Sequence, residues 1–254
     1  MSLSNIYKKK PLVHCITNTV AANFTANGLL AIGASPIMAD EAIEAEEMVR
    51  IADALLLNIG TLHETTAKTM LIAGKAANKK GIPVVLDPVA VGASLYRQQI
   101  VKEILAQIQI DCIRCNVGEL AVIAGVPWES RGVDSGEGQI DIIETAKLVA
   151  NTYNTLVFVT GSTDIVTNGK ETFQIQGGNE RITQVTATGC LLSAICAAGL
   201  AADDRNVATL QAVSSSYKRA AELAGEQPYI GSFQISLLNA LERLSQGEKE
   251  WTLL

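Results

Sequence analysis

Short apolar runs rich in β-branched residues alternate along this chain with longer stretches of helical period. "LVHCIT" (12–17) precedes a helix-like stretch from Asn18 to about Gly33, and "SPIMA" (35–39) precedes an acidic amphipathic segment. "ALLLNIG" (54–60) precedes a helical stretch over 62–79, and "IPVVLDP" (82–88), "DCIRCN" (111–116) and "TLVFVTG" (155–161) continue the series. Such alternation predicts βαβ units, hence a mostly parallel sheet covered by helices on both faces. The pattern then changes. "DIVTNGKETFQIQGG" sets an Asn168-Gly169 turn between two alternating runs, which predicts a β-hairpin at an antiparallel edge. "RITQV" (181–185) reads as strand-like, and from Gly189 the chain reads as three helical segments, divided near Asp203-Asp204 and at "GEQPYIGS". No repeat, linker or low-complexity tract interrupts it, so one domain over residues 1–254 is expected.

A hydrophobic fraction of 48% against 18% charged residues describes a well-buried globular chain. The net charge of −6 argues against a general nucleic-acid-binding surface, so phosphate chemistry would have to use local sites. No run approaches the ~18 apolar residues of a transmembrane helix, and "MSLSNIYKKKPL" lacks the apolar segment of a signal peptide. Five scattered cysteines make a poor disulfide framework and suit a reducing compartment. A cytoplasmic protein with no membrane partner is the expectation.

In an open α/β sheet, ligands bind outside the carboxyl ends of the strands. Here those ends carry Asn18, Met38, Asn58-Ile59-Gly60, Asp87, Arg114-Cys115-Asn116 and Thr160-Gly161. "TATGC" (186–190) runs straight into the apolar helical pattern "LLSAICAAGLAA". Unpaired N–H groups at such a helix start make an anion site, and small residues let a phosphate approach; an ordinary small-residue turn packing a helix onto a sheet has equal weight. Cys190 is either buried filler or, with a pKa lowered by the helix end, a reactive group or weak base. Cys196 reads as core.

"CIRC" is a weak metal signal, because no second pair exists and strand alternation sends Cys112 and Cys115 to opposite faces. His14 and His63 form no ligand cluster and read as core or surface residues. Asp87 and Glu119 have the hard oxygen chemistry of Mg²⁺ ligands, and Arg114 suits a nucleotide phosphate. Each, taken alone, reads better as a solvated charge or surface ion pair.

Taken together these stretches resemble the ribokinase-like fold, and more narrowly the hydroxyethylthiazole kinase family. The resemblance is carried by "PLVHCITNTVAANFTANGLLAIGASPIMA", "LNIGTL", "LDPVAVGA", "IRCNVGE", "GVDSGEG", "VTGSTD", "VTATGCLLSA" and "GSFQISLLN", in family order from Pro11 to Asn239. It implies a three-layer α/β/α domain with a mostly parallel central sheet and an antiparallel edge hairpin. It also implies transfer of the ATP γ-phosphoryl group to the primary hydroxyl of 4-methyl-5-(2-hydroxyethyl)thiazole in thiamine salvage.

The resemblance further implies a thiazole pocket from Asn18, Val20, Met38 and Gly60, with Ala187 lining it. Arg114 and Thr160 would contact ATP phosphates, Asp87 and Glu119 would organise Mg²⁺, and Gly189 with Cys190 would form the anion hole and catalytic centre. Cys190 would orient the hydroxyl and accept its proton late. Homotrimers with active sites at subunit interfaces are implied as well. Two residues depart from the family pattern: Ala187 and Cys115 stand where glycine is usual. An alanine held at positive φ would cost roughly 1 kcal/mol. Other readings stand beside the resemblance: a ribokinase-fold kinase of another small hydroxymethyl heterocycle or a related ATP-dependent dehydratase, both expected to carry aspartate where Cys190 stands. A further one is a non-catalytic nucleotide-binding trimer, its altered Ala187 and Cys115 marking a lost activity.

Overall fold

A computed structural model describes residues 2–127, 129–130, 136–137 and 140–247. The apolar runs become strands β1 (Leu12–Ile16), β2 (Ser35–Ile37), β3 (Ala54–Asn58), β4 (Val84–Asp87) and β5 (Cys112–Asn116). Then follow β6 (Glu129–Ser130), β7 (Gly136–Glu137), β8 (Leu156–Thr160), β9 (Asp164–Thr167) and β10 (Thr172–Ile175). Among the described residues, strands β6 and β7 pair only with each other. The other eight form one sheet in the order β10-β9-β8-β5-β4-β3-β1-β2, parallel except for β9, which runs antiparallel to β8 and β10. Of the stretch "GVDSGEG", only Gly136 and Glu137 fall within the described residues.

The helices are α1 (Ser2–Lys9), α2 (Ala22–Ala31), α3 (Ala45–Ile51), α4 (Glu64–Lys80), α5 (Leu95–Gln107), α6 (Val117–Ile123), α7 (Ile142–Tyr153), α8 (Thr188–Ala202), α9 (Val207–Ala224) and α10 (Ile230–Ser245). Two apolar cores follow from strand parity. Ala54, Leu56, Val85, Cys112 and Phe158 pack with residues of α1, α2, α8, α9 and α10. Leu55, Leu57, Val84, Leu86, Ile113 and Cys115 pack with residues of α3 to α7. Every side chain of β3 and β4 is buried, as a parallel strand covered on both faces requires. Cys112 and Cys115 do lie on opposite faces.

Two details correct the sequence expectation. "RITQV" is a 3₁₀ turn over Glu180–Gln184, not a strand; the Asn179 side chain accepts the Arg181 N–H at 3.0 Å, and the sheet ends at β10. The N-terminal residues form a helix that the polar sequence "SLSNIYKK" did not announce. It is held by buried Leu3 and Ile6, three residues apart, and by Asn5 Nδ2 donating to Asp203 Oδ2 at 2.6 Å.

Candidate active site

The same parity that builds the core on the α8 side carries four polar residues to that side at the strand ends. Asn58 continues Ala54 and Leu56, Asp87 continues Val85, Arg114 continues Cys112, and Thr160 continues Leu156 and Phe158. Asn58, Asp87 and Arg114 meet the first turns of α8, and Thr160 joins them through Arg114. Asn58 and Asp87 are register partners across β3 and β4. Asn58 Nδ2 donates to Asp87 Oδ2 at 2.7 Å, and Ser193 of α8 donates its hydroxyl to the same oxygen at 2.8 Å. Asp87 Oδ1, also buried, has no hydrogen-bond partner among the described residues and lies 3.9 Å from Arg114 Nη1.

The network continues toward Cys190. Asn58 Oδ1 accepts from Asn18 Nδ2 at 2.9 Å and from the Gly60 N–H at 3.0 Å. Asn18 Nδ2 also donates to Cys190 Sγ at 3.3 Å, while Asn18 Oδ1 accepts the Ala21 N–H at 2.8 Å. Both amides are therefore fixed in orientation, and the sulfur is an acceptor toward Asn18. On the other side, Arg114 Nη2 donates to Thr160 Oγ1 at 2.5 Å.

Two glycines are required by close approach. A Cβ on Gly189 would stand 2.6 Å from Arg114 Nη1, and one on Gly60 would stand 2.7–2.8 Å from the Asn18 side chain. Glycine at 189 thus lets the guanidinium lie against the N-terminal turn of α8, where backbone N–H groups gather partial positive charge.

Burial raises the Asp87 carboxyl above its ordinary range against the opposing pull of Arg114, Ser193 and Asn58. Glu119, buried beside Asp87, is pushed up to about 7 by the same cause and by its neighbour's charge. Burial disfavours the charge of Arg114, but Asp87 and Glu119 outweigh it and hold the guanidinium protonated.

Cys190 departs from expectation. Its thiol is pushed up to about 11 by burial, then by the charge of Asp87, against the opposing effects of Asn58, Asn18 and Arg114. Desolvation of a largely enclosed sulfur and the neighbouring carboxylate both favour the neutral thiol over the thiolate.

Glu119 has a structural task as well. It caps α6: Asn116 Oδ1 accepts the Glu119 N–H at 2.8 Å, and Glu119 Oε2 accepts the Asn116 N–H at 2.8 Å. Its Oε1 accepts the N–H of Ala90 at 2.9 Å. Ala90 and Ala187 are alanines in the left-handed region, with φ of 55° and 69°. Ala90 holds this conformation beside Glu119, and Ala187 at the start of α8, while Lys10 and Asn154 share it away from the cluster. Ala187 and Met38 are half-buried against the same apolar core. Val20 is 62% exposed in the turn after Asn18 and takes no part in the buried network.

The remaining candidates fall as read from sequence. Cys196 is core; His14 is buried, with Nε2 at 2.8 Å from the Ala39 carbonyl; His63 is exposed at the start of α4. No group of three metal-ligating side chains occurs among the described residues. Sequence reasoning placed Asn58 at a strand end without a role and passed over Ser193. The available signals were strand parity with Asp87 and a helical spacing of three residues from Cys190. It also passed over Arg97, whose guanidinium donates to the carbonyls of Ile59, Gly60 and Val89, tying the ends of β3 and β4 together.

The chain is 54% identical over 247 residues to a hydroxyethylthiazole kinase of Lysinibacillus sphaericus, with 97% of each chain covered. A solved hydroxyethylthiazole kinase of Pyrococcus horikoshii superposes with a TM-score of 0.86 at 38% identity, covering 95% of this chain and 91% of that one. A ribokinase-like superfamily protein of Enterococcus faecalis shares the fold at 14% identity and a TM-score of 0.72, covering 97% of this chain and 89% of that one. The hydroxyethylthiazole kinase family model matches residues 3–247, and the chain belongs to that family.

Proposed function

We propose that this protein transfers the γ-phosphoryl group of ATP to the primary hydroxyl of 4-methyl-5-(2-hydroxyethyl)thiazole, the kinase step of thiamine salvage. The observation that carries this reading is the closed arrangement of Asn18, Asn58, Asp87, Arg114 and Cys190 around the first turn of α8, in a chain of this family. The alcohol lies on the side of β1 to β3, against Asn18, Met38, Gly60 and Ala187. The nucleotide lies on the side of β5 and β8, against Arg114, Thr160 and Gly189.

Phosphoryl transfer has a loose transition state with little demand for a strong base, so positioning and charge stabilisation supply most of the rate. Arg114 and the N–H groups at the start of α8 stabilise the transferring group. Cys190, a neutral thiol whose sulfur accepts from Asn18, orients the attacking hydroxyl. The hydroxyl proton leaves late, to a phosphoryl oxygen, once the new P–O bond has made it acidic.

Mg²⁺ suits the donor set: two carboxylates are a usual protein contribution, and Asp87 Oδ1 is a buried oxygen with no hydrogen-bond partner among the described residues. Asp87 and Glu119 would hold it, and it would neutralise charge on the nucleotide phosphates.

A homotrimer with its sites between subunits fits the apolar rim on the alcohol side. Val20, in the turn after Asn18, is 62% exposed there, and a second copy would cover it. One kinase domain over residues 1–254 and a cytoplasmic location complete the reading. Five free cysteines support that location, and no helix among the described residues is long and apolar enough to cross a membrane. An ATP-consumption assay tests the proposal. Turnover with the thiazole alcohol and not with the aminopyrimidine alcohol of the same pathway supports it; turnover with neither sinks it in favour of a nucleotide-binding protein.

A further inference from the structure

Ser214, Lys218 and Glu222 follow one another at intervals of four on α9 and so share one helix face. Lys218 is buried, lies outside the network around Cys190, and places its ammonium 3.2 Å from Asp164 Oδ1. The same ammonium donates to the carbonyls of Gly161 and Ser162, each at 3.3 Å, and of Gly177 at 3.2 Å. Four oxygens thus surround a group with three N–H donors. Asp164 is fixed in turn, its Oδ1 accepting the Gly161 N–H at 3.1 Å and its Oδ2 accepting from Ser214 Oγ at 2.7 Å. One turn further along, Glu222 Oε1 accepts the Gly178 N–H at 3.0 Å. Gly177 and Gly178 have φ of +106° and +90°, and a Cβ on Gly177 would stand 2.5 Å from Glu222 Oε1. The chain meets α9 here through residues that only glycine suits.

The two segments held this way lie at the rim of the site. Strands β8 and β10 both run antiparallel to β9, so Thr160 and Ile175 end at the same edge of the sheet, where Thr160 meets Arg114. Residues 161–163 and 176–179 therefore form the rim on the side opposite Asn18, Met38 and Gly60. All peptide bonds among the described residues are trans. Turning the carbonyls of Gly161 and Ser162 onto Lys218 therefore turns the N–H groups of Ser162 and Thr163 away from α9. A buried ion pair is a costly way to obtain stability alone, since apolar residues of similar volume do as well. Its use here is positional.

We infer that Lys218, with Ser214 and Glu222, is a positioning device for the nucleotide: it fixes the two rim segments that form the wall against which the phosphoryl donor binds. This rests on reading the site as a nucleotide-dependent kinase. It assigns the Ser214–Lys218–Glu222 face of α9 a role toward one substrate and none toward the other.

Binding measured separately for ADP and for the thiazole alcohol, on the full chain, tests this. Lys218→Met is expected to weaken ADP binding by about tenfold, as misplaced contacts do, with the alcohol bound as in the parent protein and Lys218→Arg restoring part of the loss. Unchanged ADP affinity in folded Lys218→Met, or equal weakening of both ligands, overturns the inference. Should Lys218→Met fail to fold, Glu222→Gln combined with Ser214→Ala keeps the ion pair. Selective loss of ADP affinity there supports the inference, and none overturns it. A parent protein that binds ADP but phosphorylates no thiazole would refute the proposed reaction while leaving the ADP comparison decisive.

Discussion

Asn58 and Asp87 stand side by side on adjacent parallel strands, joined by a hydrogen bond of 2.7 Å from the amide to Oδ2, with Ser193 on the same oxygen. One carboxylate oxygen is thereby locked, and the other is turned to the side of Arg114. The same amide holds Asn18, which touches Cys190. One uncharged side chain thus sets the geometry of both halves of the centre. Asn58→Leu removes a donor and an acceptor from a fully buried site, at a cost of about 2–4 kcal/mol in stability. The turnover number is expected to fall more than the KM for either substrate rises. Thermal unfolding with steady-state kinetics checks this, and a KM-only effect would remove Asn58 from the positioning role.

Arg114 and Cys190 are expected to differ in weight. Arg114→Ala removes the buried cation at the transferring phosphate and should lower kcat by about 10²–10³-fold, as loss of a preorganised charge donor does. Cys190→Ala, which loses only an orienting contact, should cost about tenfold or less. Cys190→Asp should keep or raise kcat. Side-by-side kinetics decide the order; a larger loss at Cys190 would restore a direct proton-transfer role to the sulfur.

The thiol of Cys190 is pushed up to about 11, and it is the one cysteine that is not fully buried. Since the thiolate is the reacting species, alkylation of Cys190 should be slow at neutral pH and keep accelerating beyond pH 9, without a plateau by pH 10. Mass-spectrometric labelling rates across pH provide the check, and a plateau below pH 8 would show a thiol activated by the helix end.

Glu119 titrates at about 7 in the folded protein and at about 4.5 in an unfolded chain. Between those values the native state holds more protons than the unfolded state, so stability falls as pH rises through this window. In the absence of nucleotide and divalent cations, the contribution is about 1–3 kcal/mol lost from pH 4.5 to pH 7. Urea unfolding should show a flatter slope for Glu119→Gln, whose amide still accepts at the α6 cap. An unchanged slope would place the titration elsewhere.

Ala187, at φ 69°, pays a left-handed penalty of about 1 kcal/mol that glycine avoids. Ala187→Gly should therefore be neutral or slightly stabilising, unlike the same change inside a helix, which costs about 0.5–1 kcal/mol. Ala187→Val should destabilise. Melting temperatures of the two variants settle it; a clear loss for Ala187→Gly would mean that packing of the methyl against the core outweighs the strain.

The alternation of short apolar runs with helical stretches determined the layered architecture, because strands buried on both faces must be continuously apolar and their crossovers need helices. The strand ends placed Asn18, Asp87, Arg114 and Thr160 at one edge, and "TATGC" marked the start of α8. Strand parity even separated Cys112 from Cys115. The helix at residues 2–9 was hidden, since two buried residues in a polar octapeptide carry little periodic signal. "RITQV" misled because β-branched residues also suit a capped 3₁₀ turn.

The chemical state of the centre belonged to the tertiary structure alone. Whether Cys190 ionises depends on how much water reaches it and on the charge of Asp87, some hundred residues away in the chain. The role of Asn58 arises from register with Asp87, and the conformation of Ala187 from the path between the 3₁₀ turn and α8. Local sequence fixes which groups a strand end presents; desolvation, register and backbone strain are properties of the packed whole.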